Sequence, residues 1–533
     1  MVATQNVRSY VDDVVHRARV PMAPHDHVVR WDEQPRRHKV FPGAQQFALP
    51  IGAKLDATLV DSLARRDAAQ PAISLDVPAL GRVLHDVYGL LSRRLRVTGN
   101  DDAVNKTVSA VGTYGRGAAN GGGLYPLEFY WVSGPSAAQT PGIYHWNTAS
   151  GMLQRLATGD VHGSVIEALT GEHPGTDQFL LITVKLWKNA FKYNSFSHHV
   201  VTMDLGTVLA AFELAGLTGP APASTPRLWF DSSSIDDVLG VDSLDETTLA
   251  VLPLPGGDRE PLPGGSAGRV GARLALVESE RFPGVTRFPQ VMEVMRDTFE
   301  DRHAPRIDDV RPMQSSGTAV ALPRPAAPAE PLGLSDLLAA RRSSFGTFSA
   351  GTPMTQAELA HVLRTADQGA RLHTDAGRVG FARLAVFCNH VEGIAPGAYV
   401  YQAEGEQLLL LDDASPAGFL QQTYFLDNYN VEQAAAVLAV LVPVDDVLAA
   451  GGSRSIRLMN AVVGAATQSA YLAAADLGLA CGAALGFDNV AYAERLGLTG
   501  SGEWPLIMIM IGRDRHDQAD LVASLDLDAK EYA

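Results

Sequence analysis

The hydrophobic positions of this chain fall into two series that run in the same order. Apolar stretches at residues 127–132 and 384–388 each lead to a Pro-Gly turn. A tract of alternating large and small residues follows, Pro141-Gly-Ile-Tyr144-His-Trp146 in one series and Pro396-Gly-Ala-Tyr399-Val-Tyr401 in the other. That alternation is what a half-buried strand leaving a turn requires. A second apolar run then predicts a further strand in each series, at 179–184 and 437–442. Long Ala-rich segments at 197–217 and 459–479 predict helices. Both carry Val-Val near the start and close on small residues, Ala-Gly-Leu and Leu-Gly-Leu. Upstream, the helix ending Leu63-Ala-Arg65-Arg66-Asp67 corresponds to Ala340-Arg341-Arg342-Ser343. Five correspondences in one order predict the duplication of an α+β unit of about 200 residues, an ordinary domain size.

Between the copies, residues 256–330 are rich in Pro, Gly and Ala, and end in Ala321-Leu-Pro-Arg-Pro-Ala-Ala-Pro-Ala-Glu-Pro331. Such composition favours extended chain over core, and predicts a connector. One amphipathic stretch inside it, at 288–299, predicts a short docked helix. The expected organisation is an N-terminal domain at 1–255, a linker at 256–330 and a C-terminal domain at 331–533. The linker is long enough for the halves to pair as a dimer would.

Composition narrows the function classes. The 533 residues suit two or three domains, and 46% hydrophobic with 19% charged residues is ordinary for a globular protein. A net charge of −16 argues against a nucleic-acid surface, which needs clustered Lys and Arg. The two cysteines, Cys388 and Cys481, match no metal-ligand spacing and are expected as buried free thiols of a reducing cytoplasm. No apolar run reaches the length of a membrane span, and residues 1–10 lack a signal-peptide core, so a cytoplasmic location is expected. His198-His199 are neighbours on a predicted helix and cannot share one face, so no metal site is expected. The acidic pairs Asp412-Asp413 and Asp445-Asp446 read as solvated loop charges.

Candidate chemistry in the first half concentrates in Arg116-Gly-Ala-Ala-Asn120-Gly121-Gly122-Gly123-Leu124-Tyr125-Pro126-Leu127-Glu128. Three consecutive glycines let backbone approach a ligand that side chains would block, although a glycine run alone fits a flexible loop equally well. Joined to Leu-Tyr-Pro-Leu-Glu and followed by Pro-Gly-Ile-Tyr, the segment resembles the SagB/McbC-type dehydrogenases of the nitroreductase superfamily. Their signature is close to Pro-Ser-Ala-Gly-Gly-Leu-Tyr-Pro-Leu-Glu, and this chain has Ala119-Asn120 where Pro-Ser is usual. The resemblance implies an FMN enzyme that oxidises thiazolines and oxazolines to thiazoles and oxazoles in ribosomally made peptides. It also implies that Asn120, Gly121 and Gly123 contact the cofactor, with Asn120 hydrogen-bonding a flavin edge. The segment from Trp31-Asp32-Glu33 to Lys39-Val-Phe-Pro42 resembles the opening segment of the same proteins and is expected to wrap the fold.

Phe191-Lys192-Tyr193 stands at the front of the long helix of the first half. By itself the dipeptide reads as a surface Lys beside a packing Tyr. Placed between a strand and that helix, Lys192 and Tyr193 resemble the catalytic pair of azoline dehydrogenases. Aromatising an azoline removes a hydride, which flavin N5 can take, and a proton, which needs a base. Free lysine titrates near 10.4, so desolvation or a positive neighbour has to lower it. Adjacent helical residues point about 100° apart, so both reach one substrate only from a helix end or an irregular turn.

The second half carries complementary marks. Arg341-Arg342-Ser343 resembles the Arg-Arg-Ser motif that holds FMN in nitroreductases, and guanidinium forks suit a phosphate. A charged helix terminus is the plainer reading of Arg-Arg alone. Phe345 stands where many relatives carry another basic residue. The stretch Ala480-Cys-Gly482-Ala-Ala-Leu485-Gly486 resembles the segment whose backbone N–H meets flavin N5. The strand predicted at 505–511 ends in Gly512-Arg513, which resembles the closing Gly-Arg that reaches the FMN phosphate. No strand leads into G-x-G-x-x-G and no Walker A loop is present, which argues against a dinucleotide or P-loop site.

Each half lacks what the other keeps. The first has Asp67 in place of Ser343 and no closing Gly-Arg. The second has Arg378-Val-Gly-Phe-Ala-Arg383 in place of the glycine loop, and Arg457-Leu458 in place of Lys192-Tyr193. Nitroreductase dimers hold each flavin between subunits, so the two degenerate halves are expected to build one working interface and one dead one, where Asp67 faces the phosphate position without a matching guanidinium. The resemblance spans roughly 31–255 and 332–515. The fold expected is α+β, two fused nitroreductase-like (FMN-dependent) domains forming an intramolecular pseudo-dimer. The function expected is azoline dehydrogenation, with an azoline-containing precursor peptide as substrate, dioxygen as final acceptor and a cyclodehydratase complex as candidate partner. Two alternatives stay open: an NAD(P)H-dependent nitro- or quinone reductase, and a non-catalytic scaffold of a peptide-modifying complex.

Overall fold

The computed structural model describes residues 3–68, 76–96, 112–254, 273–282, 284–307, 309–515 and 520–525. Each half is built on an antiparallel sheet. In the first, strands run Met152–Thr158, Gly142–Asn147, Leu127–Ser133, Phe179–Lys185, Glu246–Pro253 from edge to edge, with Gln46–Phe47 added beside Met152–Thr158. In the second, the order is Gln407–Asp412, Gly397–Gln402, Arg383–Cys388, Ala436–Pro443, Glu503–Asp514, with Thr318–Ala321 added beside Gln407–Asp412. Strand for strand, the two sheets have one topology.

Local detail repeats as well. The hairpin register shifts between Ile143 and Tyr144 in one half and between Ala398 and Tyr399 in the other. Beside each shift a tyrosine hydroxyl donates to the carbonyl four residues back, Tyr144 to Thr140 at 2.6 Å and Tyr399 to Ala395 at 2.7 Å. A bulge is kept through divergence because it re-aims the strand that carries it. The strands predicted as apolar runs are buried along their whole length. Helices cover the outer face of each sheet: His162–Ala168 and Ser232–Leu239 in the first half, Ala417–Thr423 and Asn489–Arg495 in the second.

The inner faces meet across two long helices, Ser197–Leu214 and Ser455–Asp476. Every residue of the first is buried, and all but Ala475 of the second. A helix apolar all round belongs at the centre of a core, and these two lie against each other at the centre of this one. At the crossing, a Cβ on Gly206 would stand 1.9 Å from the Ala461 carbonyl oxygen, and one on Gly464 2.0 Å from that of Met203. The backbones touch, and one continuous hydrophobic core runs through both halves.

The stretch 256–330 is more than a connector. Residues 255–272 lie outside the described residues, but Pro289–Glu300 forms the expected docked helix, with Pro289 in its first turn. Thr318–Ala321 joins the second sheet, because the Gln407–Asp412 edge offers unpaired backbone groups and Thr-Ala-Val-Ala can extend to meet them. The N-terminal helix Gln5–His16, capped by Thr4, packs on Pro289–Glu300 and Asn489–Arg495, binding the first residues of the chain to its second half. Asp445 and Asp446 open the helix Val444–Gly451 and are exposed there, while Asp412 pairs with Arg495 at 2.8 Å. Cys388 and Cys481 are buried free thiols.

The crossing sets a direct expectation. Gly464→Ala or Gly206→Ala forces one backbone off the other and is expected to cost on the order of 1–3 kcal/mol of stability by denaturant unfolding. Gly418→Ala is the control, since nothing lies within 4 Å of its Cβ position in the helix Ala417–Thr423. It is expected to be neutral, or stabilising by up to about 1 kcal/mol.

Candidate active site between the halves

A cavity of ≈ 1020 Å³ opens between the two halves, with walls from both. The first half contributes the glycine loop and the turn before its central helix. The second contributes the residues after the helix Leu334–Ala340, those after the strand Ala480–Ala484, and the loop from Tyr424 to Tyr429. The N-terminal strap, residues 17–38, lines the remaining side. Of the residues singled out in the sequence, Asn120, Gly121, Gly123, Lys192, Tyr193, Arg341, Arg342, Ser343, Leu485 and Gly486 line this one cavity. Arg513 does not. Its guanidinium pairs with Glu358 at 2.7 and 3.0 Å, because Glu358 sits in the first turn of Gln356–Gly369 and meets the strand end that carries Arg513.

The glycine loop has a defined shape. Gly122 and Gly123 hold φ of 68° and 66°, and Tyr125 one of 49°. A Cβ on Gly121 would meet the Val200 side chain at 2.2 Å, and one on Gly122 the Tyr193 hydroxyl at 2.4 Å, while the Gly123 position is open. Asn120 has a different part from the one expected of it. Its carbonyl oxygen accepts from the backbone of Leu124 at 2.9 Å and Tyr125 at 2.8 Å, and its amide donates to Asp204 at 2.7 Å. The side chain shapes the loop instead of reaching out to a ligand edge. Asp204 also accepts the Gly121 N–H at 2.7 Å, and burial pushes its pKa up to about 7 against the pull of these two donors. Sequence reasoning passed over Asp204. The signal for it was an acid in the middle of a largely apolar helix.

Lys192 and Tyr193 close the short helix Trp187–Tyr193, and Asn194, at φ 43°, breaks the chain before the central helix begins. That irregular turn lets two adjacent side chains face one space. The Lys192 ammonium lies 4.8 Å from the centroid of the Tyr193 ring and 5.9 Å from that of Trp31, and among the described residues no carboxylate pairs with it. From the second half Tyr424 lines the same space, its phenol pushed up by burial and by Tyr193.

The opposite wall is cationic. Arg341 is buried; one terminal nitrogen donates to the Arg116 carbonyl at 2.9 Å, and among the described residues its Nε and Nη1 have no hydrogen-bond partner. Buried donors left open at a cavity are a site for an anion. Ser343 shares a hydrogen bond with the Tyr471 hydroxyl at 2.9 Å, which in turn accepts the Ala483 N–H at 2.8 Å, so the Arg-Arg-Ser turn and the segment before Leu485 are one unit. Arg342 is exposed, 3.5 Å from Asp514. From the strap, Arg17 lies over the Phe196 ring at 4.6 Å and donates to the Leu485 carbonyl; burial lowers its pKa to about 10. His38, bonded to Thr148 at 2.8 Å, is lowered to about 4 by burial beside Arg116.

On the pseudo-symmetric side, the counterparts of the site residues bond to other groups of the protein. Asp67 is paired after all, with Arg378 at 2.6 Å and Arg66 at 3.1 Å, and Glu213 bonds His373 at 2.5 Å. Arg457, the counterpart of Lys192, is buried and donates to the Leu249 carbonyl at 2.8 Å. The expected repulsion by Asp67 is thus neutralised by guanidinium groups that belong to the protein.

Comparison with known proteins agrees with this architecture. Residues 338–513 match the nitroreductase family. A structure from Anabaena variabilis assigned to the nitroreductases covers 96% of this chain and 99% of its own, at 20% identity and a TM-score of 0.71. At that identity the likeness is one of fold. Another so assigned, from Ralstonia eutropha, covers 40% of this chain and 94% of its own, at 20% identity and a TM-score of 0.30. The E. coli microcin synthetase complex with a truncated precursor bound covers 33% and 69%, at 14% identity and a TM-score of 0.28. Among curated proteins nothing matches. The chain has a nitroreductase-like α+β fold.

Arg341 provides a test of the cationic wall. A ligand that binds only the folded state raises Tm by mass action. Inorganic phosphate is expected to raise the Tm of the ligand-free protein and to lose that effect in Arg341→Ala. An equal rise in both proteins would remove Arg341 as the anion site.

Proposed function

We propose that the cavity holds FMN and that the protein dehydrogenates azoline rings in a peptide, turning thiazolines or oxazolines into thiazoles or oxazoles. The observation that carries this reading is the convergence of Lys192 and Tyr193 from one half with the open guanidinium of Arg341 from the other on a single cavity. The residues present fit the cofactor. Arg341 has two unpartnered donors for a phosphate, Ser343 a hydroxyl beside them, and Leu485 and Gly486 a stretch of backbone on the same side. Gly121 to Gly123 bring backbone close from the other side, where side chains would clash or fill the space.

FMN, when bound, supplies the two-electron oxidant, taking a hydride from one ring carbon and passing the electron pair to dioxygen. The protein handles the proton from the neighbouring ring carbon, and with both hydrogens gone the ring is aromatic. Lys192 takes that proton, and the Tyr193 ring beside it orients the ammonium and relays the proton outward. The rings of Tyr193 and Trp31 flank the Lys192 nitrogen. A cyclodehydratase acting on the same peptide would supply the azoline. The resemblance carried by the glycine loop and the Lys-Tyr pair supports this substrate class over a nitro- or quinone reductase.

Three outcomes are expected. Anaerobically, an azoline peptide bleaches the flavin faster than NADPH does; rapid bleaching by NADPH with no response to the peptide would support the reductase instead. Lys192→Ala keeps FMN but reduces it about 10²–10⁴-fold more slowly with the peptide in single turnover, the usual share of a general base. Flavin released on denaturation amounts to one FMN per chain, because the glycine loop with the Lys-Tyr pair and the Arg-Arg-Ser turn come together on one cavity only among the described residues. A ratio near two would overturn the composite site.

A further inference from the structure

Gly117 to Tyr125 is held from two helices at once. Gln468, on the second central helix, accepts from the Ala119 N–H at 2.9 Å and donates to the Gly117 carbonyl at 3.0 Å. Thr207, on the first, donates to the Ala119 carbonyl at 2.8 Å. These neutral bonds fix the stem. The glycines themselves hang on one charged group, Asp204.

We propose that Asp204 is the positioning residue of the cavity: its ionised carboxylate clamps the glycine loop in the shape that Tyr193 and a flavin meet, and protonation releases the clamp. The part concerning flavin rests on the FMN reading above; the clamp itself does not.

The argument is one of donors and acceptors. Both Asp204 oxygens face N–H groups, Oδ1 that of Gly121 and Oδ2 the Asn120 amide. Asn120 cannot turn to present its oxygen instead, because that oxygen already accepts from Leu124 and Tyr125. A proton on Asp204 removes the negative charge that both N–H groups face and takes up one of the acceptor sites, so the two charge-assisted bonds weaken together. Gly121 adjoins Gly122, on which the Tyr193 hydroxyl rests, so the clamp reaches the Lys-Tyr pair through one residue. Among the described residues no cation pairs with Asp204. The groups around it are the Tyr88 phenol on Val77–Tyr88, the neutral amides of Asn120 and Gln468, and Tyr193 with Lys192 at the loop. Arg116 lies beyond, over the rings of Tyr88 and Tyr125 at 4.8 and 4.3 Å. Burial holds the Asp204 pKa at about 7, which places the switch near neutrality.

The sign of the pH effect separates positioning from plain stability. An acid raised in the folded state favours folding most fully when protonated, and that contribution is lost as pH rises from the free value through about 7. The loop behaves oppositely, ordered above about 7 and released below.

The test is hydrogen exchange of the amides between Asn120 and Tyr125 in the full-length protein at pH 6 and 8, corrected for intrinsic rates, with FMN affinity titrated alongside. The wild type is expected to lose about tenfold protection in the loop between pH 8 and 6, and to bind FMN correspondingly more weakly. Asp204→Asn sets a second amide against Asn120. It is expected to show low protection at both pH values and FMN binding at pH 8 weaker by about tenfold or more, with the ligand-free Tm at pH 8 no lower than the wild type's. Wild-type protection that stays flat with pH overturns the clamp without any variant, as does full loop protection in Asp204→Asn. A pH-dependent clamp in a protein that binds no FMN would uphold this inference and overturn the flavin reading.

Discussion

The structure depends on the contact of two helix backbones at Gly206 and Gly464. Any Cβ there would push the helices apart, and the cavity walls are attached within two turns of that point. Asp204 and Thr207 hold the glycine loop from the first helix. Gln468, one turn beyond Gly464, holds the same loop from the second. Tyr471 then joins Ser343 to the backbone before Leu485. A small separation at the crossing would change every one of these distances, so packing in the core and geometry at the site are one constraint. Asn460 adds direction to the contact, donating across it to Thr202 at 2.9 Å.

Two copies of one unit need not keep two sites. Where the first half has Asp67 in place of the serine and the second has Arg378 in place of the glycine loop, the charged side chains pair with each other, and Asp67 pairs with Arg66 as well. In the cavity between the halves, by contrast, Arg341 is only partly hydrogen-bonded and Asp204 faces no cation among the described residues.

The strap that closes the cavity is fastened by buried charge. Lys188 donates to Glu128 and, at 2.9 Å, to the Arg37 carbonyl, and Glu128 also bonds His145 at 3.0 Å. Lys39 pairs with Glu246 on the edge strand of the first sheet. Glu128 is the last residue of the glycine-loop signature, and Lys188 lies on the helix that ends in Lys192 and Tyr193. One ion pair thus joins the loop, the strap and the helix that carries Lys192 and Tyr193. Lys188 holds the Glu128 carboxyl below its usual range, although burial opposes this.

The sequence by itself determined the repeating units and the composition of both cavity walls. Strand and helix periodicity is local, and Gly121 to Gly123, Lys192-Tyr193 and Arg341 to Ser343 are each contiguous, so their placement followed from the elements that carry them. Only the tertiary structure decided what each side chain bonds. Asn120 turned to its own loop and to Asp204, 84 residues away, and Arg513 turned to Glu358, 155 residues away. Asp67 found Arg378 across the two halves, and Thr318–Ala321 found a sheet edge from within a Pro-rich stretch. Hydrogen bonds and ion pairs depend on distances of a few tenths of an ångström, and those distances are set by how two helices cross, which no local pattern encodes.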